Sequence, residues 1–139
     1  MVDQELINKK LQELERYQLQ LNCRQGITPA KLEENLELLW AIQHGLQLSI
    51  QIILDIGNHI LSEAKISVNE YADIFPALAK LGVIPADYAQ SVKGMAGLRN
   101  LLVHEYTDVD EAMLIDIINN RLDDFTVFSS HIINYMKTQ

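Results

Sequence analysis

Arg99, Asn100, His104 and Tyr106 stand together in the run Arg-Asn-Leu-Leu-Val-His-Glu-Tyr. If this stretch is helical, the neighbours of Arg99 at i−4, i−3, i+3 and i+4 are Met95, Ala96, Leu102 and Val103, all apolar. A permanently charged guanidinium in such a stripe is costly unless paired or hydrogen-bonded. It calls for an anion, an acidic neighbour or a second chain. His104 supplies a group whose ordinary pKa, about 6.5, suits proton transfer near neutral pH. Asn100 precedes it by four residues, so the two share a helical face and the amide could orient the imidazole. Arg99 lies roughly 140° from His104 at ~100° per residue, so one straight helix does not bring them together. They converge if the helix frays at His104, or if the same segment of a second subunit packs across a two-fold axis. Gly94 and Gly97 permit the close backbone approach that the second arrangement needs. An arginine gripping phosphate bidentately and a histidine moving protons suffice to cleave RNA without a metal, with the RNA's own 2′-hydroxyl as nucleophile. The structural alternative has Arg99 paired with a buried carboxylate and His104 capping a helix C-terminus through the dipole.

The totals narrow the classes. A chain of 139 residues, 48% hydrophobic and 22% charged, reads as one folded domain spanning 1–139 with a core of its own. A net charge of −8 disfavours sequence-independent nucleic-acid binding, which relies on many Lys and Arg contacts to phosphate. It leaves room for an enzyme that grips one or two phosphates locally. A single cysteine, Cys23, forbids an internal disulfide and fits a reducing compartment. No run of about 18 apolar residues marks a transmembrane helix, and the first residues lack a signal peptide's apolar region. The expected location is the cytoplasm, away from the membrane.

The elements that must position the run are helices, because a 3.6-residue rhythm dominates and strand-like alternation does not persist. Ile7, Leu11, Leu14 and Leu21 trace a first helix ending near Gly26. Thr28 and Pro29 read as a cap and a first-turn proline. From there Leu32, Leu36, Leu39, Leu46, Ile50, Ile53 and Ile60 predict one helix of roughly 30 residues, ~45 Å long, as the spine of a bundle. A second apolar line (Leu38, Ile42, Ile52, Ile56) faces another neighbour. Ser67 and Glu70 suggest a capping box opening a third helix, with Pro76 kinking it or marking a later start. Gly82 ends that helix, and a fourth runs from Pro85 to about Val103. Asp108 and Glu111 read as a cap before the last helix, whose inward stripe is Leu114, Ile118, Phe125, Phe128, Ile132 and Tyr135. Trp40 and Phe125 are assigned to the core. Short connections predict an all-α, up-and-down bundle of four to five helices. Helix four is apolar around most of its circumference, which two copies packed isologously would cover.

The pattern Arg99-Asn100-x-x-x-His104-x-Tyr106 resembles the signature of the HEPN superfamily, in its HepT-like branch. Leu54-Asp55-Ile56-Gly57-Asn58-His59 is similar to the family's Asp-Ile-x-Asn-His segment. Leu81-Gly82-Val83-Ile84-Pro85, with Lys93-Gly94-Met95, resembles the run leading into its motif helix. The likeness covers roughly residues 30 to 139. It implies a HEPN-like helical homodimer with a composite cleft where both motifs meet, acting as a metal-independent endoribonuclease toxin that needs no cofactor. Arg99 and His104 would take the catalytic roles, with Asn100 as polar support. It also implies a partner, a minimal nucleotidyltransferase antitoxin that transfers AMP from ATP onto Tyr106. Anionic adenylates beside a phosphate-gripping arginine would block and neutralise the cleft.

Asp55 and His59, at i and i+4, could hold a metal, but two ligands are too few for a metal site. Asp55 is expected instead as the partner of Arg99 or as a residue that orients it. Tyr17, Tyr71, Tyr88 and Tyr135 read as packing or surface aromatics. Two rival functions remain open on the sequence: a non-catalytic nucleotide- or substrate-binding scaffold subunit of a nucleotidyltransferase, and a helical metal or nucleotide sensor built on Asp55 and His59.

Overall fold

Three side-chain oxygens fix where the first helices begin. Asp3 Oδ1 accepts from the Leu6 amide at 3.0 Å, Thr28 Oγ1 from Lys31 at 3.4 Å, and Asn35 Oδ1 from Leu38 at 3.1 Å. Each satisfies an amide that a helix N-terminus leaves without an intrahelical partner. The computed structural model describes residues 2–104 and 110–139. They form α1 (Gln4–Asn22), α2 (Pro29–Glu34), α3 (Leu36–Glu63), α4 (Ile74–Leu81), α5 (Ala86–Val92), α6 (Gly94–His104), α7 (Glu111–Asp116) and α8 (Asp123–Met136). The expected all-α bundle is present, with its rods cut into more pieces than the apolar rhythm suggests.

Each cut has a local cause. The single helix expected from Pro29 onward is broken at Asn35, whose backbone is extended (φ −133°, ψ 92°) and whose side chain caps α3 instead of continuing α2. The spine is therefore the 28-residue α3, ~42 Å long at 1.5 Å per residue. The Ser67–Glu70 capping box does not form. Glu70 precedes a 3₁₀ turn, Tyr71–Asp73, and makes no side-chain cap bond. The helix starts at Ile74, which puts Pro76 in its first turn, where proline's missing N–H costs nothing. Gly82 then ends α4 in the left-handed conformation (φ 88°) that favours glycine. The fourth helix divides at Lys93 into α5 and α6, and the last helix carries a π turn at Ile117–Arg121 between α7 and α8. Asp108 lies outside the described residues. The carboxylate that caps α7 is that of Asp110, which accepts from Ala112 N at 2.9 Å.

The core sits around α3. Leu46, Ile50, Ile53, Leu54, Ile56 and Ile60 from the spine meet Ile7 and Leu14 of α1, Phe75 and Leu78 of α4, and Phe128 and Ile132 of α8. Successive ties order α1 against α3 with falling numbers. Asp3 N donates to His59 Nε2 at 3.2 Å, Lys10 Nζ lies 3.7 Å from Asp55 Oδ2, and Gln18 Nε2 donates to Ser49 Oγ at 3.2 Å. The two helices are therefore antiparallel. Phe125 is buried as expected, but Trp40 is 57% exposed and Leu36 55% exposed. They lie one turn apart at the start of α3, on the side away from its packed face, so apolarity alone assigned Trp40 to the wrong environment.

Gly57 sets the spacing between α3 and α4. A Cβ there would fall 2.6 Å from Ile74 Cγ2 and 3.1 Å from Leu78 Cδ1. The first atom belongs to a β-branched side chain held close to its own backbone, so it gives way poorly. Overpacking of about 1–3 kcal/mol outweighs the ~1 kcal/mol that alanine gains over glycine within a helix. Gly57→Ala is expected to lower stability by about 1–2 kcal/mol in denaturant unfolding. Gly45→Ala is the contrast. Its Cβ would meet Leu21 Cδ2 at 3.0 Å, the far end of a flexible side chain, and the same measurement is expected to find it near neutral.

Candidate functional site

Arg99 leaves the exposed surface of α6 and reaches toward α3. Its Nε donates to Gln51 Oε1 at 2.9 Å, one of its terminal nitrogens donates to Asn100 Oδ1 at 3.2 Å, and its guanidinium carbon stands 4.8 Å from the centre of the Tyr71 ring. The last contact is a cation–π pair. Half-burial is thus met by one amide acceptor on each side and by an aromatic face. Among the described residues no carboxylate lies within ion-pair distance of Arg99, and the groups that hold it are neutral.

Asp55 enters this arrangement at one remove. Gln51 Nε2 donates to Asp55 Oδ1 at 2.8 Å, and the other carboxylate oxygen faces Lys10. An ionised carboxylate only accepts and a guanidinium only donates. The amide of Gln51 therefore has one orientation that serves both, with its NH₂ toward Asp55 and its oxygen toward Arg99. Asp55 is not the direct partner of Arg99 but fixes the residue that is.

The outer face of α6 reads differently from the apolar surface its composition suggests. Met95, Ala96 and Leu102 are buried and Leu98, Leu101 and Val103 half-buried, which leaves Gly97, Asn100 and His104 exposed along one stripe. Among the described residues nothing approaches within 4 Å of where a Cβ would stand on Gly94 or Gly97. Asn100 bridges the two groups, sharing the stripe with His104 while its amide oxygen holds Arg99. His104 is the last residue of α6, and the imidazole has no hydrogen-bond partner among the described residues. Within one chain the structure joins Arg99, Asn100, Gln51 and Asp55, and it leaves His104 on the neighbouring face. Tyr106 lies outside the described residues.

The pairing of Asp55 with His59 is dispersed, since His59 Nε2 accepts the Asp3 amide of α1 while Asp55 serves Gln51 and Lys10. Among the described residues no group of three or more His, Cys, Asp or Glu is placed to hold a metal ion. Two residues escaped the sequence reading. Gln51 lies four residues before Asp55 on the spine, a spacing that signals a side-chain pair once Asp55 is singled out. Tyr71 carries no local signal, because only the fold brings it over Arg99.

Comparison with known proteins gives a consistent picture. The family model described as ribonuclease HepT-like matches residues 7–132. The tRNA nuclease HepT of Aphanizomenon flos-aquae is 30% identical over 135 residues, which is 96% of this chain and 91% of that protein. The mRNA nuclease HepT of Shewanella oneidensis is 30% identical over 84 residues, 60% of this chain and 63% of that one. Among solved structures, the tri-AMPylated HEPN toxin of Shewanella oneidensis, in complex with an MNT antitoxin, superimposes with a TM-score of 0.84 at 23% identity, covering 95% of this chain and 99% of the other. That last likeness speaks for the fold. Among the described residues no helix is long and apolar enough to cross a membrane.

Proposed function

The chain belongs to the HepT-like ribonuclease family, and from that premise we propose that it is the RNA-cleaving toxin of a toxin–antitoxin pair, cytoplasmic and dimeric. The observation that carries this reading is the state of Arg99, a guanidinium whose partners among the described residues are all neutral, as a phosphate-binding cation requires. Such a group stabilises the charge that builds on a phosphate's oxygens as the 2′-oxygen attacks phosphorus and the 5′-oxygen departs. His104 is the proton carrier, as base toward the 2′-hydroxyl or as acid toward the leaving 5′-oxygen. Since the two face different ways on one α6, the cleft takes both from a pair of protomers. The bare stripe around Gly97 lets a second α6 approach closely, and a two-fold arrangement presents each histidine to the other chain's arginine. Asn100 supports both groups and Asp55 supports Arg99 through Gln51.

The antitoxin is a minimal nucleotidyltransferase that transfers AMP to Tyr106. An adenylate placed two residues beyond His104 brings negative charge to the mouth of the cleft and occupies the phosphate's place. The AMPylated state of the Shewanella toxin supports this reading by analogy. The purified dimer is expected to cut RNA in EDTA, leaving cyclic-phosphate or 3′-phosphate ends. Adding the partner and ATP is expected to stop cleavage, with mass spectrometry locating AMP on Tyr106. Cleavage that returns only with added divalent metal, or adenylation confined to other residues, contradicts the assignment.

The net charge of −8 favours a non-catalytic scaffold, because RNA is repelled at long range. Family membership and the neutral setting of Arg99 among the described residues weigh more, and inert behaviour of the wild-type dimer toward RNA is the result that would restore the scaffold.

A further inference from the structure

Beside the Asn100 stripe, α6 borders an open cavity of about 570 Å³, within the range of ligand sites. Its polar wall comes from three parts of the chain: Asn58 on α3, Asn69 and Glu70 ahead of the 3₁₀ turn, and Asn100 on α6. The side chains of Asn58, Asn69 and Glu70 have no hydrogen-bond partner among the described residues. Tyr71 lines the same cavity, and its ring is the one that carries the Arg99 guanidinium. The cavity and the Arg99 site therefore share Tyr71 and Asn100.

We propose that this cavity seats the nucleobase next to the scissile phosphate and selects guanine. The inference rests on the ribonuclease reading above and goes beyond it by naming a base and its reader. Guanine is the base whose Watson–Crick edge sets two N–H donors, N1–H and N2–H, side by side. A carboxylate accepts both in parallel, as it does from an arginine fork. The neighbouring O6 is an acceptor and takes a donor from an asparagine amide. Adenine and cytosine would turn a ring-nitrogen lone pair toward the Glu70 carboxylate, and uracil offers one N–H between two carbonyls. Backbone amides or a tyrosine alone would not discriminate in this way. A bidentate contact of this kind separates bases by about tenfold or more.

The test is a digest of a random-sequence RNA pool with wild-type dimer and with Glu70→Gln, reading the bases on both sides of each cut. The wild type is expected to enrich guanine at one flanking position by about tenfold or more. Glu70→Gln presents an NH₂ where guanine also donates, so the enrichment is expected to vanish. An equal preference in both proteins, or no preference in the wild type, overturns the proposal. Should the wild type cut no RNA at all, the ribonuclease reading fails separately, and a titration with the four nucleoside 5′-monophosphates followed by NMR decides for the cavity. Guanosine monophosphate binding about tenfold tighter than the others, lost in Glu70→Gln, sustains it, whereas equal binding of all four overturns it.

Discussion

Arg99→Ala and His104→Ala are each expected to slow RNA cleavage by about 10²–10⁴-fold while leaving the fold intact. The two losses have different origins. Removing the guanidinium takes away a preorganised donor aimed at the charge that develops on the phosphate, an effect typically about 10²–10³-fold. Removing the imidazole takes away the proton carrier, about 10²–10⁴-fold. His104 is exposed at the end of α6, so its removal creates no cavity. Arg99→Lys is expected to rescue little, because an ammonium replaces the planar fork that meets Gln51, Asn100 and Tyr71 together. The two dead proteins also report on each other. If a cleft takes its arginine from one chain and its histidine from the other, a mixed dimer rebuilds one complete cleft and one doubly defective cleft. Half of the dimers in an equal mixture are mixed, so activity is expected to return to about a quarter of wild type after subunit exchange. No recovery on mixing would remove the cross-chain pairing of Arg99 with His104, even if each single variant were inactive.

How much of this was legible in advance depends on whether the signal was local. Thr28 before Pro29 and Gly82 after an apolar run announced helix ends through their own side-chain and backbone chemistry, and the structure uses both. The inward stripe of the last helix survives the π turn because Leu114, Ile118, Phe125, Phe128 and Ile132 reach the same core from both sides of it. Asn35 was opaque, because the apolar rhythm passes straight through it. An asparagine that caps a new helix and one that sits on a helix surface look alike until the backbone is seen. Trp40 misled for the opposite reason: hydropathy says what a side chain favours, not which side of a rod the rest of the bundle covers. The run from Arg99 to His104 stood out since a charge in an apolar stripe is anomalous wherever it occurs. What answers the charge was hidden, because Gln51 and Tyr71 lie 48 and 28 positions away along the chain and become neighbours only when α3, the 3₁₀ turn and α6 pack together.

Gln51 is the residue through which that hidden answer is best examined. An aspartate or glutamate beside Arg99 would hold the guanidinium more tightly, yet it would also cancel the charge a phosphate needs. The arrangement found places the carboxylate one residue back, at Asp55, and lets a neutral amide transmit its hold. Gln51→Glu keeps the size and the acceptor oxygen but brings the negative charge forward. It also sets two carboxylates against each other, a repulsion the half-exposed site partly screens. Cleavage is expected to fall by about 10–100-fold, the range of a lost charge-assisted hydrogen bond of ~1.5–3 kcal/mol, with the far-ultraviolet circular dichroism unchanged. Binding supplies a readout that mere misplacement of Arg99 does not move. With a single-stranded deoxy-oligonucleotide, which lacks the 2′-hydroxyl and stays uncut, the slope of log affinity against log salt is expected to be shallower by about 0.7 in Gln51→Glu, the share of one phosphate contact. An unchanged slope alongside lost activity would mean that Gln51 acts by shape alone. A protein that keeps both its slope and its activity would show that a neutral neighbour is not what Arg99 requires.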